Sequence, residues 1–277
     1  MNRELLTSTL KEDFADLGDV TGEAIFKNEQ NQFVLIAKQS GILCGILEFK
    51  SVIESVDNSI EIKLNFKDGD KIEENDEIAI LSGKVSSILK AERTALNILA
   101  HLSGIASKTS QFVEASKGKS IILDTRKTLP GLRKLQKYAV RCGGGQNHRM
   151  GLFDMVMIKD NHIDAAGGIS KAVQKIRDKW QNRFGIEVET RNLQEVKEAL
   201  ECKVDRIMLD NMNCEMMKKA VEIISGKCET EASGNMTLER IPEVSDTGVD
   251  FISVGELTHS VKAFDFSLRK APLCKGK

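Results

Sequence analysis

The chain has 277 residues, enough to bury a substantial core in one large or two modest domains. Its formal net charge is −1 and only 5% of its residues are aromatic, so nothing global draws it to nucleic acid or to a membrane surface. The six cysteines (Cys44, Cys142, Cys202, Cys214, Cys228, Cys274) form no C-x-x-C pair and no His falls at zinc-finger spacing. They predict reduced thiols in a cytoplasmic protein rather than a disulfide framework. Met1 to Thr7 has no apolar signal core, and no stretch is long enough to cross a bilayer.

Residues 1–110 read as an α+β unit. Leu5, Leu6, Leu10 and Phe14 mark one helix face. Strands are predicted at Phe33 to Ala37, Ile60 to Phe66 and Glu77 to Leu81, with a brief helix at Lys50 to Ser55 and a turn at Asp68-Gly69. Ser82-Gly83 is read as the close of the third strand. A long helical pattern starts at Ser87, with Arg93 and Asn97 on one face, and Ser103-Gly104 is read as a break in it.

After Lys119 short apolar runs alternate with amphipathic helices. The runs are Ile121 to Leu123, Met155 to Ile158, Gly185 to Glu189, Arg206 to Leu209, Lys227 to Ala232 and Phe251 to Val254. Helices are predicted near Ser170–Gln181, Leu193–Glu201, Asn213–Ser225 and Leu238–Thr247. This βα repeat over 111–264 predicts a parallel sheet, closed as an incomplete αβ barrel or left open and doubly wound. Residues 265–277 lack the repeat and are expected to rejoin the first domain.

Polar residues follow all six runs, and the carboxyl ends of barrel strands are where active sites sit. Arg126, Lys127, His148, Arg149 and Lys159 form a cationic island suited to a small polyanion. Arg133, Lys134 and Lys137 read as a solvated basic helix face. Glu189 and Asp210 are acids at neighbouring strand ends; they suit Mg²⁺ bridging to phosphate, or salt bridges to the same cations. Gly143 to Gly145 and Ser233-Gly234 are candidate phosphate cradles. His162 reads as an acid catalyst or as a satisfied loop histidine.

Seven stretches then appear in a familiar order. They are Glu92-Arg-Thr-Ala-Leu-Asn97 with His101-Leu-Ser-Gly104, Asp124-Thr-Arg-Lys-Thr128, Gly143-Gly-Gly-Gln-Asn-His-Arg149, Lys159-Asp-Asn-His162, Leu209-Asp-Asn211, Glu231-Ala-Ser-Gly234 and Ser253-Val-Gly-Glu-Leu-Thr-His-Ser260. Together they resemble the quinolinate phosphoribosyltransferases over nearly the whole chain. Gly22 after Gly18-Asp-Val-Thr21, and Asn235 after Ser233-Gly234, depart from the usual family pattern.

The resemblance implies an amino-terminal open α/β sandwich, an incomplete barrel, and a homodimer in which each sandwich covers the partner's barrel mouth. It implies conversion of quinolinate and phosphoribosyl pyrophosphate to nicotinate mononucleotide, pyrophosphate and CO₂, with Mg²⁺. By motif, Arg126, His148, Arg149 and Lys159 hold the quinolinate carboxylates, and Arg93 reaches the same ligand from the partner. Lys127, Glu189 and Asp210 serve phosphoribosyl pyrophosphate and its metal. Ser233, Gly234, Gly255 and His259 line the phosphate loops. Catalysis is assigned to Lys127, Lys159, Glu189 and Asp210. Three rival readings remain: a related group encoded beside molybdate-transport genes, a Schiff-base lyase using Lys159, and a non-enzymatic polyanion binder.

Overall fold

A computed structural model describes residues 3–271. In chain order the elements are α1 (Arg3–Phe14), α2 (Val20–Ile25), β1 (Gln30–Ala37), β2 (Gly41–Ile42), α3 (Ile46–Val56), β3 (Glu61–Leu64), β4 (Lys71–Ile72), β5 (Glu77–Lys84) and α4 (Val85–Ser116). There follow β6 (Ile121–Leu123), α5 (Arg133–Cys142), β7 (Val156–Ile158), α6 (Asp160–Ala166), α7 (Ile169–Trp180), β8 (Ile186–Thr190), α8 (Leu193–Glu201), β9 (Arg206–Asp210) and α9 (Cys214–Ile224). Then come β10 (Glu229–Ser233), a 3₁₀ turn at Leu238–Arg240, α10 (Ile241–Ser245), β11 (Phe251–Ser253), α11 (Glu256–His259) and β12 (Phe266–Lys270). Among the described residues no helix is long and apolar enough to cross a membrane. Cys274 and the rest of 272–277 lie outside the described residues.

The chain forms two compact units. The first takes in the described residues up to Lys108, with Lys134–Gly143 and the described residues from Val261 on; the second is Thr109–Arg133 with Gly144–Ser260. The division expected at 111–264 therefore differs at two places. Most of α5 and the segment around Phe264 group with the first unit. Local bonds account for this: Tyr138 Oη donates to Asp68 at 2.9 Å, Gln136 meets His101 at 2.7 Å, and Phe264 N–H donates to the Ala100 carbonyl at 2.9 Å.

The first unit carries an antiparallel sheet in the order β12-β1-β5-β3, with β12 as the edge strand beside β1. Alternation in β1 and β5 sends Leu35, Ala37, Ala79 and Leu81 into a core shared with Ile46, Phe49 and Ile53 of α3 and Ile88 of α4. Strand β5 runs on through Ser82-Gly83 to Lys84, because Ser82 pairs with both Gln32 and Glu61. Helix α4 does not break at Ser103-Gly104. Buried Ser103 Oγ bonds both the N–H and the carbonyl of Cys44 at 3.0 Å. A Cβ on Gly104 would strike the Lys262 carbonyl oxygen. These small residues answer to a neighbouring backbone, not to a helix end. Lys137 is also corrected: it is fully buried, not part of a solvated face.

The second unit is a six-stranded parallel sheet in the order β6-β11-β10-β9-β8-β7 with helices between the strands, so it has the expected incomplete-barrel character. Edge strands β6 and β7 do not pair with each other among the described residues. The helix read over Leu238–Thr247 is a 3₁₀ turn followed by α10, with Pro242 in the first turn of α10. Proline lacks the N–H that a continuous helix would use there. All five residues of β8 are buried, and alternation puts Glu187 and Glu189 on one face and Ile186, Val188 and Thr190 on the other.

Gly104→Ala should cost about 1–3 kcal/mol by overpacking against a backbone that cannot retreat. The measurement is the urea midpoint, which should fall. An unchanged midpoint would show that the contact is slack.

Candidate functional site

A cavity of 620 Å³ opens at the carboxyl ends of the second unit's strands. Arg126, Lys127, His148, Arg149, Lys159, Glu189, Asp210, Ser233, Gly234, Gly255 and His259 all line it. Of the residues singled out in the sequence for a ligand role, Arg93 lies elsewhere: it is exposed on α4, in the first unit.

The cationic wall is built from both sides of β6. Gln146 lies alongside this strand, with its N–H donating to the Ile122 carbonyl at 2.8 Å. That brings Asn147 and His148 over Asp124, which is wholly buried. Asp124 accepts the His148 N–H at 3.0 Å and Asn147 Nδ2 at 2.5 Å. Arg149 follows, its Nη1 donating to the Met155 carbonyl at 3.2 Å. Burial and then the nearby charge of Arg126 push the Arg149 guanidinium below its ordinary range. Arg126 Nε is buried without a hydrogen-bond partner. Two crowded guanidiniums with a donor to spare call for an anion.

Arg133 braces this wall. It donates to Thr128 Oγ1 at 2.9 Å and to the carbonyls of Met150 and Arg126 at 3.3 and 3.4 Å. Like Lys137, it therefore leaves the solvated face read from the sequence. Lys127 is anchored by its carbonyl, which accepts from Thr258 Oγ1 at 2.9 Å.

Lys159 ends β7, and its Nζ donates to Glu189 Oε2 at 2.6 Å. The chain then turns directly into α6. His162 is exposed, with Nδ1 accepting the Lys159 N–H at 3.0 Å; this is the satisfied histidine of the two readings. On the acidic wall, Asp210 accepts from Asn211 Nδ2 at 2.7 Å. Glu189 and Asp210 offer hard carboxylate oxygens to one cavity, a donor set that fits Mg²⁺ completed by phosphate and water.

Small residues shape the rest. Gly234 has φ +94°, and a Cβ there would overlap the Asn211 side chain. Arg240 ties this rim together by donating to the carbonyls of Gly234 and Met212 at 3.1 and 2.9 Å. A Cβ on Gly255 would lie 3.0 Å from Lys127 Cδ. By contrast, none of Gly143 to Gly145 lines the cavity, which corrects their reading as a phosphate cradle. Gly143 N–H instead continues the end of α5, donating to the Ala139 carbonyl at 3.1 Å.

At the cavity wall, where His148 and Glu231 line it and Glu187 lies behind them, is a group that the sequence reading missed. His148 Nε2 stands 3.0 Å from Glu187 Oε2 and 3.3 Å from Glu231 Oε2, and both glutamates are wholly buried. Arg206 Nη1 donates to Glu231 Oε2 at 3.0 Å. Burial and the charge of Glu231 push Glu187 up to about 7. Burial opposes charge on His148, but the two carboxylates outweigh it and draw its proton affinity upward. Against that, the Arg149 N–H donates to His148 Nδ1 at 2.6 Å, a contact that leaves no room for a second ring proton. One proton therefore serves Glu187 and His148 jointly. We place it on His148 Nε2, which leaves the ring neutral and donating toward the two carboxylates, with Arg206 balancing Glu231. The ligand atoms of His148, Glu187 and Glu231 fall within 4.8 Å of one another, close enough for a metal ion. The Nε2 proton and Arg206 already fill that role electrostatically.

Known proteins place this geometry. Family models described as the N-terminal and C-terminal domains of quinolinate phosphoribosyl transferase match residues 19–103 and 105–269. The chain belongs to the quinolinate phosphoribosyltransferase family. It is 45% identical over 287 aligned positions to a mitochondrial quinolinate phosphoribosyltransferase [decarboxylating] of Nicotiana glauca, covering 96% of this chain and 81% of that one. It is 41% identical to a probable nicotinate-nucleotide pyrophosphorylase [carboxylating] of Bacillus subtilis, covering 96% and 92%. The solved nicotinate-nucleotide pyrophosphorylase of Francisella tularensis superposes with a TM-score of 0.93 at 45% identity, covering 97% and 95%.

The family's motif residues are thus legible from one sequence, whereas the supports beneath them are not. Glu187 did leave a signal. It is a carboxylate in the middle of a short apolar strand, where desolvation penalises it and only a partner can offset the cost. The nitrogen-15 spectrum of His148 near pH 7.5 should show Nε2 protonated and Nδ1 bare. Protons on both nitrogens would overturn the neutral assignment.

Proposed function

We propose that the chain transfers the phosphoribosyl group of phosphoribosyl pyrophosphate to quinolinate and decarboxylates the adduct. The products are nicotinate mononucleotide, pyrophosphate and CO₂, a step of NAD biosynthesis. The observation that carries this reading is the division of one cavity into a wall of crowded cations, Arg126, Arg149 and Lys159, and a wall with two acids, Glu189 and Asp210. Quinolinate has adjacent carboxylates and a ring nitrogen that must reach the anomeric carbon. Arg126, Arg149 and Lys159 bind the carboxylates and aim that nitrogen, making a bimolecular encounter nearly unimolecular. His148 stands behind Arg149 in the same wall.

Glu189 and Asp210 would hold Mg²⁺, which when bound neutralises the departing pyrophosphate. The same acids would stabilise the positive character that grows on the ribose. Lys127 and the rim of Ser233, Gly234, Gly255 and His259 hold the phosphates. Once the ring nitrogen is quaternised it accepts the electrons released with CO₂, so the substrate supplies its own electron sink. Ribosyl transfer then precedes decarboxylation. A Schiff-base lyase requires Lys159 as a free amine, whereas its Nζ donates to Glu189 at 2.6 Å.

We also propose a homodimer with shared sites, to which Arg93 contributes from the partner's first unit. Exposure of Arg93 on α4 supports this, because an exposed guanidinium is available to a second chain. Free thiols at Cys44, Cys142, Cys202, Cys214 and Cys228 favour a reducing compartment, and we place the protein in the cytoplasm. Plant relatives are named as mitochondrial or chloroplastic.

The deciding experiment is an assay for nicotinate mononucleotide with quinolinate, phosphoribosyl pyrophosphate and Mg²⁺ omitted in turn. Product should require all three. Nicotinate released from quinolinate without phosphoribosyl pyrophosphate would reverse the order of steps. For the shared site, Arg93→Ala and Arg126→Ala proteins should each be nearly inactive, and mixing them should restore activity at one mouth of each mixed dimer. No recovery after verified subunit exchange would refute it.

A further inference from the structure

Stability alone does not account for two carboxylates buried inside a parallel sheet. Each costs several kcal/mol to desolvate, and apolar residues of similar volume often serve as well or better. Yet Glu187 on β8 and Glu231 on β10 are both wholly buried, with β9 between their strands. Their carboxylates converge on one atom, His148 Nε2, at 3.0 and 3.3 Å. The remaining freedom of His148 is removed from its main chain, where Asp124 accepts its N–H at 3.0 Å. The ring's other nitrogen accepts the Arg149 N–H at 2.6 Å. Arg149 is therefore fixed through a residue gripped at its side chain by two strands and at its backbone by a third.

We propose that Glu187 and Glu231 are positioning residues for recognition of the diacid, acting through His148 to set the place of Arg149 at the cationic wall. Glu187 does not line the cavity; Glu231 does, but it is wholly buried and its carboxylate is turned to His148 and Arg206. His148 itself lines the cavity, and with its ring held by Glu187, Glu231 and the Arg149 N–H it transmits this constraint to the wall. The inference rests on the reading of the cavity as a quinolinate site. It goes further in separating residues that meet the ligand from those that aim them. Displacement of a guanidinium by about 1 Å is enough to lose a large factor in rate or binding. Both glutamates act by the reach and direction of an acceptor oxygen, not by net charge. Gln keeps that oxygen in place, whereas Asp keeps the charge and draws the oxygen back by one methylene.

The test is steady-state kinetics of Glu187→Gln, Glu187→Asp, Glu231→Gln and Glu231→Asp proteins, with each substrate varied in turn. The Asp variants should raise the KM for quinolinate about tenfold while the KM for phosphoribosyl pyrophosphate stays within about twofold. The Gln variants should stay near wild type. Glu231→Gln weakens a bond from Arg206, so its folding is checked by its thermal midpoint, and Glu187→Gln, which has no such partner, decides if the other is unstable. Activity kept by Asp but lost by Gln would overturn the proposal in favour of a charge requirement, as a metal ion held by His148, Glu187 and Glu231 would impose. Equal damage to both KM values would reduce the glutamates to general structure and also overturn it. Failure of the wild-type protein to form nicotinate mononucleotide would instead strike the functional reading, so the two failures are distinguishable.

Discussion

The contact of His148 Nε2 with Glu187 at 3.0 Å and Glu231 at 3.3 Å joins the segment before β7 to two strands that are not neighbours in the sheet. Buried charge must be matched locally, because the interior cannot screen it. That requirement recruits Arg206 from β9, which bonds Glu231 at 3.0 Å and Glu229 at 2.8 Å. It also fixes what surrounds Arg206: its guanidinium stacks 4.0 Å over the Phe251 ring of β11. Four strand positions, on β8, β9, β10 and β11, are thus dictated by one imidazole. The cavity inherits its shape from this layer, since Glu189 is the next residue on the same face of β8 as Glu187, and Met208 and then Asp210 follow Arg206 on one face of β9.

The mouth obeys a different rule. There the charges are half exposed, and individual ion pairs contribute little to stability. Lys159 and Glu189 bond at 2.6 Å, yet the lysine side chain is 44% exposed. Arg149 donates to the Met155 carbonyl, and Arg126 Nε is buried without a hydrogen-bond partner. The arginine part of the cationic wall is braced by bonds from Arg133 to main-chain carbonyls and from the His148 N–H to Asp124. Rigid supports behind and crowded guanidiniums in front are what recognition of a small dianion requires.

Much of this was legible in the sequence, for reasons that differ by element. The six parallel strands showed as apolar runs at βα spacing, because a strand covered on both faces has little room for polar residues. The cavity residues showed as polar positions at the ends of those runs. Strand β12 left only the loss of the βα repeat, since its hydrogen bonds go to β1, more than two hundred residues away in the chain. Residues whose value lies in a partner distant in sequence were misread. Lys137 has the spacing of a surface cation and is fully buried. Ser103 and Gly104 have the composition of a helix end and sit inside one helix. Asp124, His148 and Glu231 each stood in a sequence motif, but the bonds that join them were not visible.

The glycines make the same point most sharply. Three in succession at Gly143 to Gly145 draw the eye, yet of these only Gly144 has a positive φ, and none lines the cavity. The run lies between α5 and Gln146, where the chain passes from one compact unit to the other. Gly234 and Gly255 stand alone and are easily passed over. A Cβ on the first would overlap Asn211 beside Asp210, and a Cβ on the second would press on Lys127 and on His259 at 3.2 Å. A glycine run reports freedom of the chain, which many turns can use. A single glycine wedged between two ligand-facing side chains reports a distance, and only the fold reveals which distance that is.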